Sequence, residues 1–225
     1  MEKQKVIAYI DGFNLFYSSL KGTSNKWLDL VSMCKALLRP NQELIAVKYY
    51  SAQISSGSRS PEKSFRQKIY LEALQVNPIV QVKLGYFSIH KTMMPLAADF
   101  SKGKISMVEV IKTEEKGTDV NLAVQMAVDA VRGNFDYAML FSNDSDMAYS
   151  VQIAVKECKK KIGLYIDRNA ISHKVLKENA CYIRRITQSF LAEHQFPDEI
   201  ETSNGRIIKK PKDWSKEPSS CHKTA

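Results

Sequence analysis

The sequence predicts an α/β fold, a parallel sheet covered on both faces by helices, and three observations carry that expectation. Val6-Ile7-Ala8-Tyr9-Ile10 is an unbroken apolar run, partly β-branched, as required of a strand buried on both sides. Tyr137–Phe141 repeats the pattern later in the chain. Between such runs lie segments with apolar residues at three- and four-residue spacing, and strands that alternate with helices imply parallel pairing.

The elements follow in order. The first run breaks at Asp11-Gly12, and Phe13 to Leu20 begins a helix. Trp27, Leu30, Val31, Cys34, Leu37 and Leu38 share a helix face that Pro40 ends. Leu44 to Tyr50 reads as a second strand and Ser55–Ser58 as a loop. Pro61 suits the first position of a helix reaching about Val76. Val80–Ile89 and Lys104–Ile111 read as strands around an irregular stretch, Lys91–Gly103. Gly117-Thr118-Asp119 opens a helix on which Val120, Val124, Ala127, Val128 and Val131 fall at helical spacing, closed by Gly133. Helix is expected over Ser145–Lys159, strand over Lys161–Ile166, a short helix over Ser172–Asn179 and a last strand over Cys181–Ile186. From about Phe196 the pattern dissolves into a basic C-terminal tail, residues 196–225, with Ile207, Ile208 and Trp214 as its docking points.

A chain of 225 residues is long enough to bury a core without a disulfide or zinc staple. No apolar run approaches the ~20 residues of a membrane span, and Asp11 stops the first run too early for a signal peptide. The four cysteines are scattered, with no CxxC pair, which argues against a zinc knuckle and fits a reducing, cytoplasmic setting. The net charge of +9 favours a polyanionic partner, nucleic acid before membrane. Residues 156–185 hold nine Lys/Arg against three acids, whereas residues 186–205 hold no Lys/Arg and four acids. Lysines of this kind supply phosphate affinity without reading sequence. Tyr49, Tyr50, Tyr86 and Phe87 are candidates for base stacking, with core packing the commoner role of strand aromatics.

Acids stand where such a sheet would bind ligands, at the carboxyl ends of strands. Asp11 closes the first strand, Asp119 lies in the first turn of a helix, and Asp144 and Asp146 follow Tyr137–Phe141. Singly, each has an ordinary explanation as a helix cap. Four carboxylates facing one cleft would repel, so either their pKa values rise or a cation sits between them. Hard divalent cations prefer oxygen ligands, and an acidic cleft in a basic protein suits a metal-dependent nuclease.

Three segments also resemble a known family. Tyr9-Ile10-Asp11-Gly12-Phe13-Asn14-Leu15 looks like the opening motif of NYN domains, the PIN-like ribonuclease group that includes LabA-like bacterial proteins. Lys116-Gly117-Thr118-Asp119-Val120-Asn121 is similar to the second motif. Ser142-Asn143-Asp144-Ser145-Asp146-Met147 is similar to the third, commonly S-G-D-S-D-F, with Asn143 in place of Gly. Asn tolerates left-handed backbone geometry better than most residues. The resemblance, which spans roughly Lys5 to Ile186, implies a PIN-like three-layer sandwich with a mainly parallel central sheet flanked by helices, the domain being expected over residues 1–195. It also implies Mg2+- or Mn2+-dependent cleavage of RNA, with Asp11, Asp119, Asp144 and Asp146 as catalytic residues around the metal.

On this reading Asp11 and Asp144 are the direct ligands, while Asp119 and Asp146 bind through waters or orient the nucleophile. Asn14, Lys116 and Ser142 are the substrate-side candidates: Asn14 one helical turn beyond Asp11, Lys116 at the cleft mouth, Ser142 as a hydrogen-bond donor to a ligand carboxylate. Asp167, with Arg168 beside it, is a further acid at the same sheet end. The expected partner is RNA, single-stranded or structured, with no membrane and with a homodimer allowed. The competing expectation is an inactive RNA-binding or adaptor module on the same fold. A nucleotide-binding Rossmann site or a P-loop is disfavoured because neither glycine pattern is present.

Overall fold

The computed structural model describes residues 2–54, 61–100, 103 and 105–214. Its centre is a seven-stranded sheet. β1 (Gln4–Asp11), β2 (Gln42–Ala52) and the first part of β3 (Val80–Pro95) run parallel, and β4 (Met107–Lys116) returns antiparallel to β3. On the other side of β1 lie β5 (Tyr137–Phe141), β6 (Lys161–Asp167) and β7 (Tyr182–Ile186), all parallel. The order is therefore β4-β3-β2-β1-β5-β6-β7. The chain leaves β1 in one direction through β2 to β4, then crosses back to start β5 on the other flank of β1. Between β1 and β5 the winding reverses, and such a switch point opens a crevice at the strands' carboxyl ends.

The apolar run of β1 faces both ways. Val6, Ala8 and Ile10 join a core with α2 (Leu30–Ala36) and α3 (Pro61–Gln75), while Ile7 and Tyr9 join a second core with α5 (Thr118–Val131) and α6 (Ala148–Gln152). Tyr9 and Ile10 are wholly buried, the condition that lets a strand dispense with alternation.

Several elements depart from the sequence expectation. The stripe Val120, Val124 and Val131 does not face the core: these residues are exposed, and α5 buries Leu122, Met126 and Ala130 instead. The helix is apolar on two sides, so periodicity alone could not choose the inward one. The stretch from Lys91 is regular as far as Pro95, because β3 continues as a ribbon paired with β4 alone, followed by the short α4 (Ala97–Phe100). The first helix is four residues of α-helix, α1 (Gly12–Leu15), continued by a π-helical turn over Phe16–Leu20. The segment expected as helix from Ser145 combines a 3-10 turn, α6 and a π-helical turn ending at Glu157. Trp27 and Leu28 precede α2 and are fully buried. The loop expected at Ser55–Ser58 lies outside the described residues.

Beyond β6 come α7 (Lys174–Asn179), then β7 and α8 (Gln188–Glu193), and β8 (Glu199–Glu201) pairs with β9 (Ile207–Lys209) in a small ribbon. Ile208 is buried and Trp214 packs on Trp27 and Tyr70, at ring-centroid distances of 6.1 and 5.9 Å, so both are docking points; Ile207 is exposed. The Trp27 indole donates to the Pro197 carbonyl at 2.8 Å.

Candidate functional site: an acidic crevice at the switch point

Register sets the first contact of the site. Ile10 pairs with Phe141, so the next residues, Asp11 on β1 and Ser142 after β5, emerge side by side at the carboxyl edge. Asp11 is buried, yet both its oxygens are used: Oδ1 accepts from the Asn14 amide at 2.9 Å and Oδ2 from the Ser142 hydroxyl at 3.0 Å. Burial raises its pKa and Asp144 raises it further, with the Asn14 and Ser142 hydrogen bonds opposing. The Ser142 hydroxyl also accepts from the Asp144 amide at 3.2 Å. Asp144 caps the next turn by accepting from the Asp146 amide at 2.9 Å.

Asp119 comes from farther away, and the antiparallel β4 is what delivers it. Lys116, the last residue of β4, pairs with Tyr86, immediately beyond the part of β3 that pairs with β2. The chain therefore turns into α5 at the same sheet edge as Asp11. Gly117 makes that turn with φ +92°, a left-handed conformation natural to glycine. Gly85 lets the turn sit on β3: a Cβ there would collide with the Lys116 carbonyl and stand 2.9 Å from Thr118 Oγ1.

The Asp119 carboxyl is pushed up to about 6, first by burial and then by Asp11, Asp144, Glu115 and Asp146 in turn. Carboxylates from three separate segments thus share one field. Glu115 was missed by sequence reasoning. It accepts from the Thr118 amide at 3.0 Å and from the Thr118 hydroxyl. Its only sequence signal was its place four residues before Asp119, beside the second motif.

Not every candidate meets the cluster through its side chain. Asn14 contributes its backbone amide to Asp11, and its side chain borders a small crevice with Ser18, Ser19 and Asp167. Lys116 pairs with Glu114 at 3.1 Å, and Glu114 is held down at about 2 by hydrogen bonds from Lys112 and Lys116. Asp167 accepts from the Asn169 amide at 2.9 Å and the Ser19 hydroxyl at 3.3 Å. Asn143 ties two loops together, donating to the Ile171 carbonyl at 2.7 Å and accepting from the His173 amide at 3.0 Å.

The donor set is hard: carboxylate oxygens and a hydroxyl, the kind that suits Mg2+ or Mn2+. Among the described residues no three His, Cys, Asp or Glu side chains stand as a closed metal cage. The fit is one of chemistry and charge rather than of a preformed shell.

Beside the acids lies a pocket of about 610 Å3 whose lining includes Gly12, Phe13, Tyr17, Tyr49, Arg66 and Trp214. Tyr49 connects the two: burial first, and the Asp11 charge after it, push its hydroxyl up to about 12, against a hydrogen bond with Ser51. Sequence reasoning did not foresee this pocket, because its walls come from four separated segments.

Comparison with known proteins follows the same outline. A family model described as NYN domain matches residues 5–187. A curated relative, 6-hydroxy-3-succinoylpyridine 3-monooxygenase HspA of Pseudomonas putida (strain DSM 28022 / S16), is 29% identical over 236 residues, covering 93% of this chain and 75% of that protein. The crystal structure of a protein of unknown function from Vibrio parahaemolyticus RIMD 2210633 superposes with a TM-score of 0.50 at 16% identity, covering 82% of this chain and 94% of that one. That likeness concerns the fold alone.

Proposed function

This chain belongs to the NYN domain family, and on that premise we propose that it is a metal-dependent ribonuclease that hydrolyses RNA phosphodiesters at the acidic crevice. The fold is nuclease-like. The observation that carries the reading is the convergence of acids at one sheet edge. Register sets Asp11 beside Ser142, which bonds both the Asp11 carboxylate and the Asp144 amide. Strand β4 turns Asp119 into the same edge, where burial and then the neighbouring acids raise its carboxyl. Folded proteins rarely gather that much uncompensated like charge unless a ligand uses it.

Asp11 and Asp144 would hold Mg2+ or Mn2+, Asp11 because a buried strand end fixes it and Asp144 because Ser142 ties its backbone to the same point. A divalent cation supplies a lowered pKa for bound water and neutralises charge on the phosphoryl oxygens. Asp119 and Asp146 orient the attacking water. Ser142 keeps the Asp11 carboxylate aimed, Asn14 contributes its backbone amide to the same carboxylate, and Lys116 would have to leave Glu114 to serve the phosphate. The excess of basic residues over 156–185 holds the RNA backbone by charge.

The test is cleavage of end-labelled single-stranded RNA with Mg2+ or Mn2+, with Asp144→Asn run alongside. Metal-dependent cutting that disappears in the variant supports the reading. Salt-sensitive RNA binding without cutting in either protein favours the adaptor alternative.

A second reading has a specific observation behind it: the name of the curated relative together with the aromatic, cationic pocket beside the acids. It is hydroxylation of a small heteroaromatic acid. One oxygen atom of dioxygen would enter the ring and the other would leave as water, with two electrons from an external donor such as a reduced nicotinamide. Oxygen consumption dependent on both donor and aromatic acid would support it, and its absence would remove it.

A further inference from the structure

We propose that the pocket between α1, the end of β2, α3 and the segment ending at Trp214 binds a planar aromatic ring that carries an anionic group. At about 610 Å3 it falls within the ~300–1,000 Å3 typical of small-ligand sites. Its apolar wall is largely aromatic: Phe13, Phe16, Tyr17, Tyr49, Tyr70 and Trp214. Phe13 and Tyr17 stack with centroids 6.4 Å apart and planes 19° from parallel. Tyr17 remains 61% exposed, and the Lys21 ammonium stands 4.9 Å over its ring, so an aromatic guest that carries an anion would meet ring and cation together. Rings offer flat faces that favour flat partners.

Charge supplies the second half of the specification. Among the described residues, Lys21, Lys26, Lys63 and Arg66 line the pocket against one lining carboxylate, Asp213. Asp213 engages Arg66 at 2.6 Å. The remaining cations stand in excess, and the Lys26 ammonium is destabilised by burial and by the nearby Arg66 guanidinium. An anion entering the pocket would relieve that repulsion. Aromatic faces next to cations are the combination that holds a base and its phosphate, or a small aromatic carboxylate.

Position ties the pocket to the crevice. Gly12 lines it and directly follows Asp11. A nucleotide seated here would therefore be a neighbour of the phosphate at the acids; that source of the ligand rests on the ribonuclease reading, whereas a free aromatic acid does not.

Titration calorimetry at low salt, in chelator and on the Asp144→Asn protein, separates binding from cleavage. The probes are adenosine 5′-monophosphate and nicotinate, with adenosine, nicotinamide and inorganic phosphate as controls. At least one charged aromatic probe is expected to saturate, with its uncharged counterpart and phosphate each about ten-fold weaker or more. Tyr17→Ala and Lys63→Ala are both at exposed positions; the first should weaken it by roughly ten-fold, the scale of losing one stacking partner, and the second should weaken the charged probe more than its uncharged counterpart. Saturation by the nucleotide alone assigns the pocket to nucleic acid, and saturation by nicotinate alone assigns it to a small acid. The proposal is overturned if neither probe saturates, if the uncharged counterpart binds equally well, or if both variants bind as the parent does. Because no metal is present and no bond is cut, none of these outcomes depends on nuclease activity.

Discussion

Ser142 reaches across the switch point to donate its hydroxyl to Oδ2 of Asp11 at 3.0 Å, while Oγ of Ser142 itself accepts from the Asp144 amide at 3.2 Å. One hydroxyl thus fixes the spacing between the ends of two adjacent parallel strands and couples the two acids most directly placed by them. Ser142 is almost fully buried, so water cannot readily take its place. Its hydrogen bond holds Asp11 in one orientation, which on the ribonuclease proposal would matter most when a cation is bound.

Ser142→Ala should therefore harm activity more than folding. Loss of a buried hydrogen bond to a charged group costs about 1–3 kcal/mol of stability. Loss of orientation at a ligand carboxylate lowers metal affinity or turnover by about 10–100-fold. Cleavage measured over a metal titration would show the midpoint moving to higher Mn2+ concentration. A shift in thermal midpoint with an unchanged metal curve would make the serine a packing residue only.

The crowded carboxyl of Asp119 predicts a pH dependence of definite sign. Its pKa rises from an ordinary 3.8 to about 6, so between those values the folded form binds more protons than the unfolded chain. The Asp119 contribution to stability then falls as pH rises from about 4 through 6, and levels off above. Asp11, also raised, adds in the same direction. Asp119 is partly exposed, and solvent screening reduces the effect. In chelator, Asp119→Asn should melt higher than the parent at pH 8 and lose that advantage near pH 4. Adding Mn2+ at pH 8 should raise the parent's melting temperature more than the variant's.

How much of this was visible in the sequence depended on how local the cause was. The strand Val6–Ile10 and the acids Asp11, Asp144 and Asp146 were legible because a buried run and a cap are local patterns. Asp119 was legible as a residue, but the reason it reaches the crevice was not. That reason is the antiparallel β4, whose pairing of Tyr86 with Lys116 is a long-range choice. The inward face of α5 was not legible, because valines and leucine lie on opposite sides and only contact with β1 and β2 decides between them. Lys116 sat at motif spacing, yet alternation along β4 places it on the side of Glu114. The aromatic pocket needs α1, β2, α3 and Trp214 together, a juxtaposition no window of sequence contains.

Gly12 is required for space, not for an unusual backbone. A Cβ at this position would lie 2.5 Å from Cζ and Oη of Tyr49 and 2.7 Å from the Tyr50 carbonyl oxygen. The ring could shift, but the β2 backbone is held by ladders on both sides. Gly12→Ala should cost about 1–3 kcal/mol through overpacking, a fall of roughly 3–10 °C in melting temperature. Because Gly12 adjoins Asp11, cleavage should fall further than stability explains. Activity equal to the parent's at a temperature where both are folded would refute the link.

Away from the crevice, the buried carboxylate of Asp129 on α5 accepts from four side chains, and its removal should destabilise the protein rather than alter its chemistry. Oδ2 accepts from the Tyr9 hydroxyl at 2.6 Å and from the Lys48 ammonium at 2.5 Å; Oδ1 accepts from Gln125 at 3.1 Å and Asn134 at 2.9 Å. Burial alone would raise its pKa, but Lys48, Tyr9 and Asn134 together hold it below the ordinary value. Its contribution to stability is therefore present above about pH 4 and lost as pH falls through the depressed pKa. Asp129→Ala leaves the Lys48 charge buried without this partner, a defect of about 3–5 kcal/mol. Lys48→Met should cost less, because three donors to the carboxylate remain and the methionine can fill the same volume. Chemical denaturation of the two variants at pH 7 and at about pH 3, below the ordinary carboxylate value, checks both points. The Asp129→Ala deficit should shrink at the lower pH, since the parent begins to lose the same interaction there. An equal deficit at both values would mean that the network acts through packing and not through charge.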